Sequence, residues 1–152
     1  MKAIRLLLNT DNTTSTLLLR VALGAVFFPH GAQKVLGWFG GYGFTGTMGF
    51  MTGTLHIPAP LAFLAIAAEF AGALGLIVGL GTRVAALGIA SVMAVAITMH
   101  AQYGFFMNWY GAQKGEGIEY HLLALAIALA LVLRGGGKWS ADAAIAKTLP
   151  VS

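Results

Sequence analysis

The chain has 152 residues, 58% hydrophobic and only 9% charged, with a formal net charge of +4 and a mean hydropathy of +0.81. Soluble domains carry roughly 25% charged residues, so this composition excludes a water-borne globule and points to one domain buried in a bilayer. With no cysteine, the chain by itself excludes disulfides, thiol catalysis, cysteine-ligated zinc and iron–sulfur clusters. Its nine Lys and Arg are scattered, form no nucleic-acid-binding stripe, and are read as topology signals.

Residues 1–16 are expected to form a cytoplasmic N-terminal segment. Its polar NTDNTTST splits the apolar run and no small-residue cleavage site follows, so no cleaved signal peptide is expected. Four apolar runs then approach the roughly 20 residues that a bilayer core demands: 17–39, 58–80, 83–103 and the shorter 118–134. Punctuation supports this division. Thr13, Thr14 and Ser15 offer an N-cap, HIPAP opens the second run, GLGT separates the second from the third, and RGGG ends the fourth. Pro29 is expected to kink the first helix, and Ala71, Gly75 and Gly79 recur every four residues as in closely packed membrane helices. The connections 40–57 and 104–117 are rich in glycine and aromatics and are expected to pack on the bundle.

Counting charge on alternate sides gives the orientation. Lys2, Arg5, Arg20, Arg83, Arg134, Lys138 and Lys147 share one side and only Lys34 and Lys114 the other, so both termini are expected in the cytoplasm. The expected fold is thus all-α, a membrane-embedded four-helix bundle over residues 17–146 with a tail at 147–152, in a multi-pass protein of the cell inner membrane. Arg20 and Arg134 are expected to snorkel.

The remaining ionisable groups gather toward the outer half. At 1.5 Å per residue, His30 and Lys34 stand about 20 Å and about 26 Å above the inner boundary. His30, Gln33 and Lys34 share one helical face that continues to Trp38. Glu69 falls near the midplane, where an acid is costly unless paired, protonated or hydrated. A funnel is therefore expected from the outer surface to Glu69, walled by His30, Gln33, Lys34, Trp38, His100, Glu119 and His121, with Glu69 and His30 as a proton relay. Simpler roles compete: Lys34 snorkels, His100 bonds a backbone carbonyl, and Glu119 and His121 wet the end of a short helix. No HExxH, phosphate-binding loop or Ser-His-Asp arrangement occurs, so hydrolytic and nucleotide-dependent chemistry lacks support. A quinone head group, whose redox chemistry couples electrons to protons, suits an acid and base in an apolar cleft. Haem is the weaker candidate because bis-histidine ligation needs two facing histidines, and no metal site is expected. GAQK occurs at 31–34 and again at 111–114, which raises the question of a two-helix duplication.

The segments HGAQKVLGWFGGYGF, IPAPLAFLAIAAEFAGALGLIVGLGTRVAAL, GFF and GIEYHLLALAIALALVLRGGGKWSAD, taken in this order, resemble the DoxX family of small bacterial and archaeal membrane proteins over residues 17–146. The matching positions are His30, Gly31, Lys34, Gly37, Gly40 and Gly41, then Glu69, Gly72, Gly79 and Arg83, then Glu119, Gly135, Trp139 and Asp142. The resemblance implies a four-helix membrane bundle. It also implies a link to quinone redox systems, because the family is named after a quinol oxidase subunit and a related branch belongs to thiosulfate:quinone oxidoreductase. Three functions follow as expectations: a quinone-linked oxidoreductase subunit, a non-catalytic assembly or anchor partner of another protein, and a small proton-coupled transporter. The expected partners are the lipid bilayer, a membrane or peripheral redox protein, and further copies of the chain, with no nucleic acid.

Overall fold

The structure, a computed structural model, describes residues 2–150; Met1 of the expected N-terminal segment and Val151 and Ser152 of the expected tail lie outside it. The described residues contain α1 (Lys2–Leu8), α2 (Thr14–Leu36), α3 (Gly43–Gly49), α4 (Ala59–Val78), α5 (Thr82–His100), α6 (Glu119–Arg134) and α7 (Ala141–Thr148), and no strand. Three helical segments are long and apolar enough to cross a membrane: α2, α4, and α5 with the 3-10 turn that extends it to Tyr103. The 16 residues of α6 reach about 24 Å, short of a hydrocarbon core about 30 Å thick. The all-helical class is as expected.

Local chemistry sets the helix ends. Thr13 is extended and its hydroxyl accepts from the Thr16 N–H, so α2 begins three residues before the expected span. Pro58 occupies the N-cap of α4. Gly79 and Gly81 both take left-handed φ, 75° and 60°, which turns the chain from α4 into α5 within three residues. The α-helical assignment of α2 continues through Pro29.

Packing runs α2 on α4, α4 on α5, α5 on α6, and α6 back on α2, while α1 lies against α7 and α5. Leu23 and Phe27 of α2 meet Ala73 and Leu76 of α4, Ala86, Ile89 and Met93 of α5, and Ala124, Ala128 and Leu131 of α6 in one core. Small side chains dominate it because apolar surface gains little by leaving lipid, so close backbone approach must provide the attraction. A methyl on Gly24 would come within 2.9 Å of the Ala73 carbonyl, and one on Gly31 within 2.5 Å of the Phe70 Cα. Large apolar side chains face outward instead, among them Leu18, Phe63, Leu64, Leu87 and Leu123.

Arg20 departs from expectation. It does not snorkel but is 1% exposed, and its guanidinium donates to the carbonyls of Gly136 (2.8 Å), Leu76 (2.6 Å) and Ile77 (2.8 Å). The last two carbonyls end α4, where an unsatisfied acceptor and a negative helix terminus favour a cation. Asp142 mirrors this at the start of α5, accepting from the N–H groups of Gly81 (2.7 Å) and Thr82 (2.8 Å). The GAQK repeat is also one of sequence alone, since residues 31–34 lie inside α2 whereas 111–114 lie in a non-helical connection. The 40–57 connection folds into α3 and a π-helical turn at Phe50–Thr54.

Gly31→Ala is expected to lower stability by about 1 to 3 kcal/mol, because the methyl would push α2 off α4. Gly49→Ala, whose methyl meets nothing within 4 Å, leaves the thermal midpoint in detergent within error or slightly raised. A second expectation concerns acid. Burial alone would raise the Asp11 carboxyl, but hydrogen bonds from Thr16, Thr13 and Arg134 outweigh it and hold the group below its ordinary 3.8. A folded pKa below the unfolded one adds stability above that ordinary value, lost as pH falls through the folded one. Thermal midpoints measured from about pH 5 downward are therefore expected to fall less steeply in Asp11→Asn than in the wild type.

Candidate functional site

Glu69 is 7% exposed, and Lys34 Nζ stands 2.5 Å from its Oε2. The pair follows from the helix contact beneath it. Gly31 brings the α2 backbone against Glu69 and Phe70, and Lys34 lies one turn further along the same face. The ammonium thereby neutralises an acid that would be costly alone inside a membrane. Lys34 thus pairs with Glu69 rather than snorkelling, and no other side-chain hydrogen bond reaches Glu69 among the described residues.

A second constellation joins α5 to α6. The His100 and His121 rings stack with centroids 4.7 Å apart and planes 28° from parallel. Nδ1 of His100 lies 2.8 Å from the Ala96 carbonyl, and Nδ1 of His121 lies 3.1 Å from the Gly117 carbonyl. Carbonyls only accept, so both Nδ1 atoms carry hydrogen and the neutral rings keep their lone pairs on Nε2. The rings present faces rather than lone pairs to each other, which does not fit a haem iron between them. Among the described residues no group of three or more His, Asp or Glu could hold a metal.

Tyr120, which sequence reasoning passed over, links the two sides. Its ring stacks on Phe27 at 6.4 Å and meets His121 edge-on at 5.8 Å, and Phe27 in turn meets His30 at 6.4 Å. A line of rings therefore runs His30, Phe27, Tyr120, His121, His100, Tyr103 from α2 across α6 to α5. The Tyr120 hydroxyl is buried without a hydrogen-bond partner among the described residues. Periodicity could have found it, because Tyr120, Ala124, Ala128 and Leu131 form the inward stripe of α6.

The other singled-out residues are dispersed. His30 is exposed and has no hydrogen bond to Glu69. The Gln33 amide donates to the Phe39 carbonyl at 3.3 Å, and Trp38 is exposed with its edge toward Phe39. Glu119 turns to the 104–117 connection, where Oε1 accepts from the Met107 N–H (2.9 Å) and Trp109 Nε1 (3.2 Å). Two open surface depressions, of about 390 and 440 Å³, lie at the opposite end, around Arg5, Asn9 and Arg83.

The DoxX family model matches residues 15–102, a stretch that carries Lys34, Glu69 and His100 and stops before α6. A Bacillus subtilis (strain 168) protein named "Putative oxidoreductase CatD" is 31% identical over 125 residues, covering 82% of this chain and 83% of its own. No solved structure matches the chain.

Removing one partner of the Lys34–Glu69 pair leaves a buried charge uncompensated. Lys34→Met is expected to cost about 3 kcal/mol, whereas Lys34→Met with Glu69→Leu recovers most of the loss. Unfolding midpoints of the two single variants and the double variant measure this coupling.

Proposed function

Because the chain belongs to the DoxX family, we propose that it is an integral membrane subunit of a redox system, exchanging protons with a quinone at the Lys34–Glu69 pair. In this reading α6, lengthened by its polar flanks, makes a fourth crossing of the cell inner membrane. Both termini then lie in the cytoplasm and the site opens toward the outer side. The word oxidoreductase in the relative's name supports a redox setting.

The observation that carries the reading is the coincidence of an ion-paired Lys34 and Glu69 with an unpartnered buried phenol, Tyr120, on α6, the helix that packs back on α2. When bound, a quinone supplies a two-electron, two-proton couple, and a redox partner protein supplies or removes the electrons. The Lys34 ammonium and Tyr120 hydroxyl are donors available to quinone oxygens, and Glu69 is the acid or base that exchanges a proton with Lys34 Nζ. His30, one turn before Lys34 on α2, is assigned the proton step toward the surface, and the His100–Tyr103 end of the ring line supplies apolar faces for the head group. Gln33, Trp38, Glu119 and His121 shape the approach.

A second reading, a non-catalytic anchor for another protein, draws on Phe106, Trp109 and Tyr110, which stand exposed on the connection between α5 and α6.

In membranes from cells lacking the native protein, Glu69→Gln is expected to lower quinone-dependent electron transfer by about 100-fold at wild-type expression. Tyr120→Phe is expected to lower it by about tenfold, the loss of one hydrogen bond to a charged or polar acceptor. Wild-type turnover in both Glu69→Gln and His30→Ala would overturn the reading, and a stoichiometric partner retained by all three variants would favour the anchor instead.

A further inference from the structure

We propose that the basic end of the molecule holds the phosphate group of an anionic phospholipid between α1, α6 and α7. The site is distinct from the Lys34–Glu69 pair and independent of the redox reading.

Charge accounting comes first. Among the described residues the two side-chain carboxylates at this end, Asp11 and Asp142, are both occupied. Asp142 caps the start of α5 through both oxygens, and Asp11 accepts from Thr13, Thr16 and Arg134, the last at 3.3 Å. Arg83 gives its guanidinium to the carbonyls of Asn9 and Val132, which accept hydrogen bonds but leave its charge unneutralised. Arg5 is less satisfied still. Its Nη2 is buried and has no hydrogen-bond partner among the described residues.

The space beside these groups has a matching form. A surface depression of about 390 Å³ is lined by Arg5, Leu6, Asn9 and Ala146. On the other side of Asn9 a depression of about 440 Å³ is lined by Thr10, Asp11, Arg83, Leu133 and Arg134 as well. Among the described residues two guanidiniums in no ion pair, those of Arg5 and Arg83, therefore flank Asn9, each lining an open surface depression, the second of which Asp11 shares. A guanidinium fork matches the oxygens of a phosphate, and a bound oxyanion would satisfy the orphaned Arg5 donor. Free phosphate offers the same chemistry. The apolar share of the site favours a lipid, since Leu6 and Leu133 line it and Ile4, Leu7 and Leu133 stand exposed around it, a surface for acyl chains. The site also sits at the mouth of α2, five residues before the first helical turn, where head groups lie.

Native mass spectrometry of the detergent-solubilised protein tests this with phosphatidylglycerol, phosphatidylcholine and inorganic phosphate as probes. A one-to-one phosphatidylglycerol adduct is expected in preference to phosphatidylcholine. Arg5→Gln is expected to weaken it about tenfold and Arg5→Lys less, because the charge survives but the fork does not. Ala146→Glu, which sets a carboxylate on the wall facing Arg5 without touching the Arg5 side chain, is expected to weaken it similarly, so a misfolded Arg5 variant leaves the test intact. Equal retention of the two lipids, or phosphatidylglycerol binding unchanged in Arg5→Gln and Ala146→Glu, overturns the site. Displacement of the lipid by millimolar inorganic phosphate overturns the lipid as its occupant.

Discussion

The buried guanidinium of Arg20 fixes the register on which the rest of the molecule depends. Apolar helices in lipid can slide or rotate past one another at small cost, because one leucine face resembles another. Three directed hydrogen bonds from one side chain remove that freedom. They tie α2 to the last carbonyls of α4 and, through Gly136, to the segment that follows α6. From there the antiparallel pair can be followed upward: Gly24 against Ala73, Phe28 stacked on Phe70 at 6.1 Å, Gly31 against Glu69 and Phe70, and finally Lys34 on Glu69. Lys34 lies 14 residues beyond Arg20, about 21 Å along the helix. A shift of one residue at the base would turn the ammonium through about 100° and take it off the carboxylate.

This arrangement divides the polar chemistry into two kinds. At the base most donors and acceptors are matched: Asp142 meets two N–H groups, Ser140 caps α7, and Thr10 and Thr13 receive the N–H groups of Gly137 and Lys138, with Arg5 Nη2 and Thr82 Oγ1 the buried exceptions among the described residues. The matched part of this network contributes mainly rigidity. Toward the other end the matching is incomplete. Tyr120 keeps an unused hydroxyl, each stacked histidine keeps an unused Nε2, and Glu69 has Lys34 as its partner. Unspent hydrogen-bonding capacity inside an apolar structure costs stability, and it is where a ligand gains most by supplying the missing partner.

Composition and periodicity made the helical class, the ends of α2, α4, α5 and α6 to within three residues, and the polar residues of α2 and α4 legible, because each rests on a local rule: length for a span, Thr13 for a cap, Gly79 and Gly81 for a turn; the short α1, α3 and α7 were not read. Partner choice was not local. Glu69 could be recognised as an acid in need of a partner, but the choice between His30 and Lys34 depends on the rotation of α2 about its axis, which Gly31 and Arg20 set jointly. Arg20 itself was misread because an arginine near a helix end usually reaches for water. The carbonyls that hold it belong to residues 56 or more positions away, and no spacing in the chain announces them. Tyr120 was hidden by its neighbours, since Glu119 and His121 drew the attention that the inward stripe of α6 assigns to the tyrosine.

The 104–117 connection shows how the same residue type can serve opposite ends. Glu119 begins α6, yet its carboxylate leaves the bundle to gather Met107 and Trp109, and Glu116 gathers the Asn108 N–H at 2.9 Å. The Ile118 and Glu119 N–H groups bond the Phe105 carbonyl, so both flanks of the 104–117 segment are pinned to the start of α6. A connection held this way keeps Phe105, Phe106 and Trp109 at the start of α6 without a regular element of its own. The ring line, whose last member is Tyr103, thus leads straight into a connection whose two flanks are fixed to the start of α6.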